Sequence, residues 1–163
     1  MRLKVRILLA LVVLSVLFSG CSNKGEYYFY EMIDRGVWST DKPLAFTLDS
    51  VNFNPGSRYA LFVEVSANMT YPFQDIWLKL NHNLTEDKMY TEDTLRIVLT
   101  DTYGEKSGVG VGGLNKVKKL YLEDIRLDSA SSYNVIINQI MSEDSLRGIE
   151  KLGIVILDSK NIN

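Results

Sequence analysis

The chain has 163 residues, with 18 basic and 20 acidic side chains, one histidine, one cysteine and a net charge of −2. Residues 1–20 hold three of the bases and none of the acids, so the 143 residues after them carry −5. That balance excludes nucleic acid as a partner, because phosphate binding needs clustered positive charge, and a lone cysteine excludes an internal disulfide. One domain with enough chain to bury a core fits this length.

Arg2, Lys4 and Arg6 open the chain, an apolar run of 12 residues follows over 7–18, and Ser19 and Gly20 precede Cys21. A basic start, a short apolar centre and a small-residue exit make a secretory signal peptide over 1–20. The apolar centre falls short of the roughly 20 residues a spanning helix needs. Leu-Phe-Ser-Gly-Cys resembles a bacterial lipobox, which makes Cys21 the acylated first residue of the mature chain. Residues 21–26 then form the lipidated cysteine and a short polar tether, and 27–163 a single domain. Ser22 after the cysteine favours the outer membrane by the sorting rule of enteric bacteria. With no strongly acidic run behind Cys21, the periplasmic leaflet is preferred to the cell surface.

Beyond the tether the period is two. "YYFYEM" and "PLAFTL" open the series of candidate strands. In "YALFVEVS", Tyr59, Leu61, Val63 and Val65 share a face. In "IWLKLN", Ile76, Leu78 and Leu80 alternate with Trp77, Lys79 and Asn81. "NHNLTEDK", which holds His82, reads as an exposed loop. "LRIVLT", "LYLEDIRL", "YNVIINQI" and "GIVIL" complete the set, and "SEDSLRGIEKLG" predicts one short turn of helix. Asn54-Pro55-Gly56, Tyr71-Pro72, Tyr103-Gly104 and the glycines of "SGVGVGG" punctuate the strands, the last as a bulge or bend. Seven or eight short strands without intervening helices predict an all-β, antiparallel β-sandwich of the jelly-roll or immunoglobulin-like kind.

The residues offer little chemistry. One histidine without a second and without a free thiol makes zinc an unusual fit, and no serine sits in a nucleophile elbow. The doublets Glu86-Asp87, Glu92-Asp93, Glu123-Asp124 and Glu143-Asp144 put adjacent carboxylates on opposite strand faces, which suits solvated charge better than an acid–base pair. No calcium-loop or phosphate-loop spacing occurs. The expectation is therefore no catalytic residue, no metal and no cofactor beyond the lipid on Cys21. Trp38, Tyr71, Phe73, Trp77, Tyr90 and Tyr103 lie near turns or at outward positions. They are read as caps of the core, as a protein-binding patch or as a platform for sugar rings. Four Asp-Ser or Asp-Thr stretches, starting at Asp49, Asp93, Asp128 and Asp144, match an O-glycosylation acceptor of Bacteroides-type bacteria and are equally plain turn chemistry.

The lipobox, Trp38 followed by Pro43 and Phe46, "NMTYPFQDIWLKL", "DTLRIVLTDTYGEKSGVGVGG", "YNVIINQIM" and "LRGIEKLGIVI" occur in one order. Together they resemble the gliding-motility lipoprotein GldH family of the Bacteroidota over nearly all of the mature chain. "TYPFQDIWL" and residues 101–110 are the most specific parts. The resemblance implies a non-enzymatic accessory component of the gliding and type IX secretion apparatus at the outer membrane. Its partners would be the membrane, through the lipid, and other envelope proteins. Trp38, Tyr71, Phe73, Trp77 and Asp101 form the candidate interaction surface. A glycan-binding surface lipoprotein is the alternative.

Overall fold

The computed structural model describes residues 25–49, 53–85, 89–127 and 131–162, so the signal peptide, Cys21 and most of the tether lie outside the described residues. Three antiparallel groups of strands make the fold. The first sheet is built from β1 (Glu26–Met32), β11 (Ile149–Asp158), β4 (Tyr59–Ala67), β8 (Leu114–Ile125) and β7 (Val109–Val111), in that spatial order. The second orders β3 (Leu44–Asp49), β9 (Ser132–Gln139), β5 (Asp75–His82) and β6 (Thr91–Val98). A two-stranded ribbon pairs β2 (Val37–Ser39) with β10 (Ser145–Arg147). The chain is all-β with antiparallel sheets, as the period of two predicts, and Glu26 at the end of the expected tether is already the first residue of β1.

Alternation builds the core. Ile76, Leu78 and Leu80 of β5 are fully buried, and they meet Leu61, Val63 and Val65 of β4, Ile154 and Ile156 of β11, and Val135 and Ile137 of β9 in one cluster. At about 25 cal/mol per Å² of apolar surface removed from water, residues of this kind supply most of the stabilisation. Strand β4 is buried on both faces except at Phe62, because it lies at the centre of its sheet and side chains cover its outer side. Lys116 Nζ lies 3.0 Å from the buried Glu64 carboxylate, and the ammonium of Lys118 sits 5.0 Å from the centre of the Phe62 ring.

Three expectations change. "SEDSLRGIEKLG" makes no helix: it supplies β10 and the first residues of β11, with a bulge at Glu150 between Ile149 and Lys151. Gly148 between them has φ +89°, and its N–H and C=O bond to Gly36 O and Asn68 N at 2.8 Å each, so tertiary partners take the backbone groups that a helical turn would use. "SGVGVGG" makes no bulge. Val111 pairs with Leu114 around Gly112 and Gly113, both at positive φ, and this two-residue turn is the kind that suits the twist of a hairpin.

His82 is not on an exposed loop. It ends β5 with 1% of its surface exposed, continuing the buried face of Ile76, Leu78 and Leu80. Its Nδ1 accepts from Leu84 N–H at 3.3 Å, and its Nε2 stands 2.8 Å from the Tyr121 hydroxyl, which donates to Asp93 at 3.2 Å. An accepting Nδ1 leaves the proton on Nε2. Burial holds the imidazole pKa below its ordinary value against the opposing pull of Asp93. The relay runs from imidazole to carboxylate without a nucleophile. Because the folded pKa is depressed, this histidine's contribution is complete above the ordinary imidazole pKa of about 6.5 and is lost as pH falls from there through the lower folded value. Denaturant titrations at pH 7.5 and 5.5 should show the parent losing more stability on acidification than His82→Gln; equal losses would refute this.

Among the described residues, the segments between strands gather at two ends. Residues 33–43, 68–74, 99–108 and 140–148 gather at one end, which we call the loop end. At the other lie Gly25, the turn over 54–57, residues 83–85 and 89–90, residues 126–127 and the described C-terminus. Ten residues of β11 put roughly 30 Å between them.

Candidate functional site

The loop end brings together the two segments on which the family resemblance is most specific. Residues 68–74 begin with Asn68, whose Oδ1 accepts from the N–H and the hydroxyl of Thr70 at 2.7 and 2.6 Å, while its Nδ2 donates to Glu150. This closes a tight turn and ties it to β11. Tyr71 follows, half-buried, its hydroxyl donating to Asp75 O at 2.7 Å. Burial, with Asp75 adding to it, pushes the phenol pKa well above its usual range. Phe73 meets the Tyr71 ring edge-on, with centroids 5.8 Å apart.

Residues 99–106 fold against this turn through one glutamine. Gln74 O accepts from Leu99 N and Thr100 N at 2.8 and 3.0 Å, and Gln74 Nε2 donates to Asp101 O at 3.2 Å. Asp101 Oδ1 accepts from Tyr103 N and Glu105 N at 2.9 and 2.8 Å, so its carboxylate shapes the loop that holds Tyr103 outward. Asn115, buried at the start of β8, fixes the same loop from below by donating to Leu99 O at 2.7 Å. Between the two loops is a cleft of about 230 Å³, lined by Met69, Tyr71, Phe73, Leu99, Lys106 and Asn115 among others. Met69 is 77% exposed and Tyr103 92%.

Three of the five sequence-predicted residues therefore meet here: Tyr71 and Phe73 as walls, and Asp101 as the residue that organises the neighbouring loop. Trp77 stands two residues into β5, 42% exposed, with the Arg96 guanidinium 5.8 Å from its ring centre and held there by Asp75 at 2.5 Å. Trp38 corrects the expectation of an outward aromatic. It is 1% exposed, and its indole N–H donates to Lys42 O at 2.9 Å. The ribbon of β2 and β10 carries its ring into the core, a placement that three-residue strands leave no periodicity to reveal. Met69, Gln74 and Asn115 escaped the sequence reading. Tyr71-Pro72 marked the turn in the sequence, but nothing there marked these three side chains as its neighbours.

The outer face of the five-stranded sheet also carries rings. Tyr30 lies over Gly153, where an added Cβ would come within 2.1 Å of the ring. The Lys151 ammonium sits 4.0 Å from its centre, with that of Lys116 at 5.8 Å. Burial, followed by its hydrogen bond to Glu64, pushes the Tyr30 phenol pKa up to about 12. The chain's own lysines cover this ring, so it offers no open face for stacking. Among the described residues no group of three or more histidine, cysteine, aspartate or glutamate side chains is placed to hold a metal ion.

Comparison with known proteins agrees with the resemblance. A gliding motility lipoprotein GldH homolog from Christiangramia forsetii is 31% identical over 153 residues, covering 90% of this chain and 91% of that protein. The gliding motility lipoprotein GldH of Flavobacterium johnsoniae is 28% identical over 143 residues, covering 87% and 86%. Among solved structures, a carbohydrate-binding module specific for non-crystalline cellulose aligns over 79% of this chain and 69% of its own at 12% identity, with a TM-score of 0.37, too low to carry an argument. The family model described as GldH lipoprotein matches residues 26–156, from the first residue of β1 through both loops of the cleft into β11. The chain therefore belongs to the GldH family of membrane-anchored gliding-motility lipoproteins.

Proposed function

We propose that this protein is a non-enzymatic accessory subunit of the gliding and type IX secretion machinery. An acyl-modified Cys21 holds it on the periplasmic leaflet of the outer membrane, and it works by binding other envelope proteins at its loop end. One observation carries this reading. Residues 70–78 and 101–110, the segments most specific to the family resemblance, come together at the end opposite Gly25, where Met69, just before the first, and Tyr103, within the second, are exposed. An adaptable thioether and a large aromatic beside a small cleft suit a protein contact. Glycan stacking has less support, since Tyr71 and Phe73 meet edge-on and the rings of Trp77 and Tyr30 carry cations.

Affinity purification of the lipidated protein from membranes should recover a defined envelope subunit in stoichiometric amount. Met69→Asp together with Tyr103→Ala should reduce that recovery at least tenfold while leaving the melting temperature within about 2 °C, because both side chains are surface groups. Recovery unchanged by the pair, or no subunit recovered at all, would count against the loop end as the contact.

A further inference from the structure

The described chain starts and stops at one end of the sandwich. Gly25 O accepts from Asp158 N at 2.8 Å, and Ser159 N donates to Arg58 O at 2.8 Å, so the backbone of Gly25 is fixed against the last strand. Three residues lie between Cys21 and Gly25, and the four residue steps that join them cannot span more than about 14 Å in any conformation. An anchor at Cys21 therefore keeps this end, and not the loop end roughly 30 Å away, beside the lipid.

The surface of this end fits what it would meet. Met89 is 67% exposed, Tyr90 56% and Ile162 41%, the first two leading into β6 and the third following β11. Tyrosine favours the headgroup level of a bilayer, where its ring is apolar and its hydroxyl wet, and methionine and isoleucine gain by leaving water. Arg126 and Lys160 are exposed at the same end, where long cationic side chains can reach lipid phosphates. The carboxylate of Asp124 is neutralised by Arg58 at 3.0 Å.

We infer that this end is a membrane-seating surface: Met89, Tyr90 and Ile162 enter the headgroup region of the phospholipid bilayer that holds the Cys21 lipid, and the domain stands upright with its cleft facing away. The inference rests on the reading of Cys21 as acylated. It makes the orientation of the domain a property of the fold and not of the tether alone.

Spin labels test it. An acylated Cys21 has its sulfur in a thioether, so a thiol introduced by Tyr90→Cys or Tyr103→Cys in the full processed protein is the one that takes a nitroxide. Both positions are exposed and tolerate the change. Each protein is reconstituted into phosphatidylethanolamine–phosphatidylglycerol vesicles, floated on a gradient, and measured for collision with oxygen relative to a water-soluble nickel complex. The label at 90 should give an oxygen-to-nickel ratio at least threefold above that at 103. Equal ratios in floating protein overturn the seating surface and leave the anchor intact. Protein that does not float overturns both. Dipolar broadening at 90 that disappears on dilution with unlabelled protein means a second copy covers the patch, which also overturns it.

Discussion

Trp38→Ala should destabilise the domain by about 4 kcal/mol, the usual cost of emptying a large buried aromatic site. At roughly 4 °C per kcal/mol for a domain of this size, the melting midpoint should fall by roughly 15 °C. The argument is geometric. Trp38 is fully enclosed, its indole N–H is satisfied by Lys42 O, and β2 has only Val37, Trp38 and Ser39 with which to hold the ribbon to the body. Truncation leaves a cavity and removes the donor for a carbonyl in the turn before β3. The companion Trp77→Ala should cost about 1 kcal/mol, the scale of an exposed ring and its cation–π contact. Thermal unfolding of the two variants decides the matter. Similar shifts would mean that Trp38 is not the enclosed residue described.

Gly148→Ala is the second large effect and acts on the site. A Cβ at 148 would lie 2.4 Å from Tyr71 N and 2.6 Å from its Cα, both backbone atoms, and φ is +89°. Neither the contact nor the dihedral can be relieved by turning a side chain. Left-handed strain and overpacking together should cost about 3 kcal/mol. The relaxation available is to push residues 68–74 off Gly148, which breaks the bond from Asn68 N to Gly148 O and widens the cleft. Hydrogen exchange should then show faster exchange at Asn68, Tyr71, Leu99 and Thr100 than in the parent, the last two through Gln74. Gly104→Ala, with no atom within 4 Å of the added Cβ, carries the dihedral strain without the collision and should cost about 1 kcal/mol. If the two glycines respond alike, close packing on Tyr71 is not what selects glycine at 148.

Alternation by itself determined much of this protein. A strand sends successive side chains to opposite faces, so Ile76, Leu78 and Leu80, or Tyr133, Val135 and Ile137, announce a half-buried sheet wherever it comes to lie. The signal-like start ahead of Cys21 and the order of motifs that carries the family are likewise written locally. Even the burial of His82 was present as parity, two residues beyond Leu80, and was hidden only by the polar residues around it.

Tertiary structure alone decided what lies between elements. Three-residue strands such as β2 and β10 have no period, so their pairing and the burial of Trp38 depend on residues more than a hundred positions apart. The cleft exists because Gln74 holds residues 99–101 against a turn some thirty residues earlier, and Asn115 supports them from a third strand. Hydrogen bonds of this kind leave no pattern in a linear sequence, since each partner is an ordinary side chain or backbone group until the fold sets it about 3 Å from the other.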